Sequence, residues 1–278
     1  MHDSVQELLD RKVEQYNQPS FIEKDPISIP HRFSRKQDVE IMGFWAAVLA
    51  WGQRPVILKK ANELVELMDG APYDFVVNHQ ETDLKRFLLF KHRTFNATDT
   101  LYFLHFFHTY YQQHDTLEDA FVPFNAPTDQ RADSLNLCAP DSKEGLMIHG
   151  LPSVGPFLEA FHNRFCDDPF FPERTRKHVS TPERNSSCKR LNMFLRWMVR
   201  HDDRGVDFGL WGRIKPSQLV IPIDVHVGRV ARKLGLLNRP QTDWKAALEL
   251  TDALKQFDPN DPVKYDFALF GLGVEGEM

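Results

Sequence analysis

Apolar positions recur at helical spacing along most of the chain, and the alternation expected of strands is scarce. Residues 3–17 read as a short amphipathic helix, followed by a loop punctuated by Pro19, Pro26 and Pro30. Asp38 to Trp51 is apolar on nearly every face, which predicts a central buried helix. Lys59 to Met68 predicts a second helix, closed by Asp69-Gly70, and Asp99 to His114 an unusually aromatic third. Residues 122–153 read as loop, with Pro123, Pro127, Pro140 and Pro152. Leu158 to Phe165 returns to helix, and Asp167 to Arg184 is another Pro-rich connection. Between Cys188 and Arg200, Leu191, Phe194, Leu195, Met198 and Val199 make one helical core face, while Lys189, Arg196 and Arg200 share another. Ile221-Pro222-Ile223 then leads into a helix from Val225 to Leu234, with Asp224 at the N-cap and Gly235 at the C′ position. Val263 to Leu272 is the last helix. The pattern predicts an all-α fold in a single domain over 1–278. Its core motifs lie at 38–68 and 186–272, with a loop-rich insertion at about 122–185.

Composition narrows the function classes. With 42% hydrophobic and 26% charged residues, the 278-residue chain is globular rather than disordered or collagen-like. Three cysteines without CxxC spacing exclude a disulfide framework and a four-cysteine zinc or iron–sulfur site. Met1 to Asp10 has no apolar core of a secretory signal, and the longest apolar run, Phe44 to Trp51, is too short to cross a bilayer. The expectation is a cytoplasmic protein with no membrane partner. A net charge of −5 argues against nucleic-acid binding through bulk charge. Its distribution argues the other way. Residues 184–233 sum to +7 and the remainder to −12, so a basic stripe runs through an acidic chain.

The informative segment is Pro222-Ile-Asp224-Val-His226-Val-Gly-Arg229-Val, which resembles the stretch that places the catalytic aspartate of helix-hairpin-helix DNA glycosylases. The order of elements is also similar. A buried helix runs into a Gln-containing turn, Ala50-Trp-Gly-Gln53; a lysine-bearing helix, the aspartate helix and a closing helix follow. Within that superfamily the pattern is most similar to archaeal 8-oxoguanine DNA glycosylase/lyases. There too the lysine and aspartate stand far apart, as Lys189 and Asp224 do here at 35 residues. As a whole, the chain also resembles bacterial proteins grouped only as a family of unknown function, which adds no chemistry.

The resemblance implies two helical lobes with a cleft, and a monomer acting on double-stranded DNA with a damaged base, in association with the nucleoid. It implies base excision with strand cleavage, the lead substrate being an oxidised purine such as 8-oxoguanine, and no cofactor or metal. Lys189 would attack C1′ and form a Schiff base, and Asp224 would stabilise the positive charge developing on the sugar. A helix N-terminus is a favourable place for such a carboxylate. A lysine must be neutral to attack, and neighbouring Arg190 and Arg196 would favour that form. Arg196, Asp266 and Phe270 match the positions that hold the base, with Trp211 or Trp197 as a further aromatic platform. Gln53 would fill the gap left in the duplex. Ser186, Ser187, Arg190, Arg200, His226 and Arg229 would contact DNA.

The sequence departs from the superfamily where its glycine hairpin should precede the lysine: Ser180 to Lys189 contains no glycine. Leu151-Pro-Ser-Val-Gly155 looks more like the hairpin but lies too early in the chain. Plainer readings stay open at each position. Lys189 would be a surface lysine, Asp224 a helix cap, Gln53 a turn residue, His226 a core histidine, and Asp266 with Phe270 a chance spacing. Two rival functions follow: a non-catalytic nucleic-acid-binding protein on the same scaffold, and a metal-dependent hydrolase using His105 and His108.

Overall fold

The computed structural model describes residues 4–123 and 151–274. Its elements among these residues are helical, apart from an isolated bridge between His92 and Phe95. The α-helices are α1 (Val5–Tyr16), α2 (Lys36–Leu49), α3 (Arg54–Leu67), α4 (Pro72–Asn78), α5 (Ala97–Tyr111), α6 (Glu118–Phe121) and α7 (Gly155–Cys166). They continue with α8 (Lys189–Val199), α9 (Val225–Lys233), α10 (Trp244–Lys255) and α11 (Tyr265–Val274). Short 3-10 turns fill several of the Pro-rich connections. None of these helices is long and apolar enough to cross a membrane. The expected loop over 122–153 falls mostly on residues 124–150, outside the described residues, as does Cys138.

Helix α2 is the axis. Every residue from Val39 to Leu49 is buried, which explains why the sequence shows no polar face there. It packs along α8, and the contact is close because Gly43 faces Met198 and Phe194; a Cβ there would meet Met198 Cε at 3.2 Å. Aromatic rings from α2, α5, α7 and α8 fill the space around it, with Phe44 in ring contact with Phe103, Phe107, Phe161 and Phe194. At the other end of the chain, α11 packs on both α1 and α9. The ring of Tyr16 lies across Gly271, where no larger residue fits without displacing it. The bond between Arg196 on α8 and Asp266 on α11 ties these two packings together.

Several boundaries differ from the periodicity. Helix α3 begins at Arg54 rather than Lys59, because Pro55 sits in its first turn, where a missing N–H costs nothing. Helices α4 and α10 were not anticipated, although Trp244 to Lys255 carries a regular apolar stripe of Ala246, Ala247, Leu250 and Leu254. Leu151 to Gly155 is not a hairpin but the entry to α7. Helix α9 ends as expected: Gly235 takes φ +72°, and Leu236 N–H donates to Ala231 O at 2.9 Å, closing a Schellman turn.

Candidate functional site

Lys189 and Asp224, 35 residues apart in sequence, meet in space. Lys189 is the first residue of α8, and Asp224 caps α9. Asp224 Oδ1 accepts the N–H groups of His226 at 2.9 Å and Val227 at 3.0 Å. That leaves Oδ2 facing Lys189 Nζ at 3.5 Å. The helix-cap role and the site role therefore use different oxygens of one carboxylate. Both side chains are half-buried on the wall of an open cavity of about 440 Å³, which Asp25, Arg54, Met193, His226 and Phe270 also line.

Beneath the pair the cavity narrows to a pocket of about 30 Å³ bounded by Phe21, Asp25, Met193, Arg196, Pro222, Asp266 and Phe270. Phe270 is half-exposed, packs edge-on to Phe21 with ring centroids 6.2 Å apart, and carries the Arg54 guanidinium 5.0 Å from its ring. Asp266 is buried and bonded to Arg196 Nη1. Burial pushes the Asp266 carboxyl up to about 6 even though Arg196 pulls it down, and Asp224 adds to the rise. Burial opposes the charge on Arg196, but Asp207 and Asp266 outweigh it and raise its pKa. Arg196 Nε also donates to Asp207 Oδ1 at 3.2 Å. Its charge is thus met by two carboxylates, which removes it as a source of unbalanced positive field for Lys189.

A second recess, of about 470 Å³, opens on the other side of Lys189 and Asp224. Ala50 to Gly52, Lys177, Ser180, Ser186, Ser187 and Arg190 line it. The chain reaches it through a turn in which Asn185 (φ +54°) and Cys188 (φ +50°) adopt the left-handed conformation that glycine would ordinarily supply. Ser186 Oγ accepts the Cys188 N–H at 3.2 Å, which holds this turn. Arg190 donates to Val48 O at 2.7 Å, at the C-terminal end of α2, and burial lowers its pKa. Cys188 is buried, and burial pushes its thiol up to about 11, far from a thiolate.

Other expected site residues lie elsewhere. Trp211 is 3% exposed, donates to Glu40 Oε1 at 2.7 Å and packs against Phe121 and Phe194; Trp197 is fully buried. Neither borders the cavity, so the aromatic wall is Phe270 with Phe21, not a tryptophan. Arg200, expected on a DNA-facing surface, is 3% exposed and held by Asp202, Asp207 and Asp261. Its charge is spent inside the protein. Arg229 is exposed but donates to Gly273 O at 3.0 Å, at the end of α11. His226 is exposed at the cavity mouth rather than turned into the core. Gln53 is exposed at the N-cap of α3, between the cavity-lining Gly52 and Arg54.

The basic stripe is correspondingly divided: Arg204 pairs with Glu14 and Arg213 with Asp119, while Lys189 and Arg190 remain at the recess, joined there by Lys177 from outside the stripe. Asp25, Phe21, Arg54 and Asp207 were not anticipated. The first three come from loop and helix-start positions without periodicity. His105 pairs with Asp168 at 3.0 Å, and His108 bonds to Val76 O at 2.8 Å. Among the described residues no group of three or more His, Cys, Asp or Glu side chains is placed to hold a metal ion.

A family model described as a protein of unknown function (DUF2400) matches residues 25–275, nearly the whole chain. No curated protein and no solved structure matches it.

Proposed function

We propose that this chain, which belongs to the DUF2400 family, is a DNA N-glycosylase with lyase activity that removes an oxidised purine such as 8-oxoguanine, on a two-lobed scaffold like that of the helix-hairpin-helix glycosylases. The observation that carries the reading is the approach of Lys189 to Asp224, at 3.5 Å, on the wall of a cavity with an aromatic ring and buried polar groups. An extruded base needs both. In this reading Asp224 Oδ2 takes a proton from the Lys189 ammonium, and the freed amine attacks C1′. The C1′–N bond breaks as the C1′–Nζ bond forms, and the departing base takes the proton from Asp224; the sugar then opens at C1′–O4′, a proton passing from Nζ to O4′, to leave a protonated Schiff base. Loss of a proton from C2′ then expels the 3′ phosphate by β-elimination. As Asp224 passes the lysine proton to the departing base, it regains its charge beside C1′ and stabilises the positive charge on the sugar.

The recess beyond the pair suits the sugar-phosphate backbone, since Lys177, Arg190 and three serines face it beside the N-terminus of α8. The test is incubation of the purified protein with duplexes carrying a single 8-oxoguanine. The reading expects free base and a nicked strand with a β-elimination end. Salt-sensitive binding without product would leave the non-catalytic nucleic-acid-binding reading in its place.

A further inference from the structure

The chemistry above leaves one buried carboxylate at the cavity unused. Asp25 lies between the 3-10 turns Pro19–Lys24 and Pro26–Ser28. It is 8% exposed, and its Oδ1 accepts the Ile27 N–H at 3.0 Å. Its other oxygen has no hydrogen-bond partner among the described residues. Asp25 borders the open cavity, the narrow pocket beneath it and a third recess of about 210 Å³ on the α1 side of Phe270. Burial raises its pKa, opposed by the Ile27 N–H and by the more distant Arg196, Arg54 and Lys189, none of which is paired with it. At the wall of an open cavity that second oxygen is left to water, so an occupant that displaces the water must offer a donor in its place.

We propose that Asp25 selects the base, its free carboxyl oxygen accepting the N1–H or the 2-amino N–H from the Watson–Crick edge of a guanine-type purine held against Phe270. An adenine-type base presents an acceptor ring nitrogen at the equivalent position, which would face the carboxylate oxygen lone pair to lone pair. Sites built to receive a donor reject analogues lacking it, because the protein group is then left unpaired. Asp266 also has one oxygen left, but its charge is balanced by Arg196, whereas Asp25 is paired with no cation among the described residues and offers its remaining oxygen uncompensated. The assignment rests on the glycosylase reading, and the experiment separates the two.

Binding is measured in a Lys189→Gln background, which stops turnover. The duplexes carry one 8-oxoguanine, one 8-oxoadenine, one tetrahydrofuran abasic analogue or no lesion, all opposite the same base. With Asp25 intact, 8-oxoguanine is expected to bind roughly 10²-fold more tightly than 8-oxoadenine, the worth of one charge-assisted hydrogen bond plus its mismatch. Asp25→Asn and Asp25→Ser both keep an acceptor for the Ile27 N–H but withdraw the free carboxyl oxygen. In both, the preference should shrink to under about threefold while tetrahydrofuran binding is unchanged. A preference that persists in both variants, or that is absent with Asp25 intact, overturns the assignment. If the tetrahydrofuran duplex binds no better than undamaged duplex, the glycosylase reading itself fails and the assignment falls with it.

Discussion

Asp207→Asn is the sharpest probe of how the pocket floor is held. Asp207 is buried between two arginines, its Oδ1 accepting from Arg196 Nε at 3.2 Å and its Oδ2 from Arg200 Nη1 at 3.1 Å. An asparagine oxygen can accept only one of these, and its amide would point a donor at the other guanidinium. Two charge-assisted hydrogen bonds at about 1.5–3 kcal/mol each set the scale, and breaking a buried ion pair costs about 3–5 kcal/mol. Against this, four carboxylates (Asp202, Asp207, Asp261 and Asp266) crowd the two guanidinium groups. Burial raises the Asp261 and Asp266 carboxyls, so removing one negative charge relieves part of that crowding. A net loss of about 3 kcal/mol is expected, or roughly 6–12 °C in Tm for a chain of this size. Calorimetric melts near neutral pH read it directly. The comparison is Glu63→Gln, whose partner Lys60 lies 2.7 Å away in a partly exposed pair on α3. That pair should contribute under about 1 kcal/mol. If Asp207→Asn melts no lower than Glu63→Gln, the buried network does not hold Asp266 in place and the argument for the pocket floor is wrong.

Asp224 separates its two roles by substitution. Asp224→Asn should keep the cap of α9 and the melting temperature, because asparagine caps as well as aspartate, yet lower base excision by at least about 10²-fold. Asp224→Ala should lose activity and also about 1 kcal/mol of stability. The pH dependence follows Asp266, whose pKa is raised to about 6. Its ionised form, the stronger acceptor, is present above that pH and lost below it. The ratio of 8-oxoguanine to tetrahydrofuran duplex affinity should therefore fall as pH drops through about 6, and this step should vanish in Asp266→Asn. The ratio cancels the general gain in DNA affinity that acid gives.

Much of the helical frame was legible because burial imposes period. Helices α2, α5, α8 and α9 stand within a few residues of where their apolar stripes place them, and the caps Asp224 and Gly235 mark both ends of α9. The meeting of Lys189 with Asp224 was an expectation that the geometry satisfies. What misled was charge. Lys189, Arg196 and Arg200 share a helical face in sequence, but only the first lies on the open cavity, and Arg196 reaches no further than the narrow pocket beneath it. Acids contributed by distant segments, Asp261 and Asp266 above all, draw the other two inward. A one-dimensional charge count cannot see partners that arrive from 60 or 70 residues away. Trp211 failed as a platform for a related reason: buried Glu40 supplies a partner for its indole N–H inside the core. Asp25 was invisible because a single Asp-Pro in a Pro-rich loop has no period, and its importance comes from the walls that fold around it.

The central claim is a covalent one, and it is tested by borohydride reduction during reaction with duplex containing a single 8-oxoguanine, followed by mass spectrometric mapping of the adduct. The account predicts a stable protein–DNA species attached at Lys189, absent from Lys189→Gln and strongly reduced in Asp224→Asn. No trapped species, or one that survives in Lys189→Gln, would contradict it.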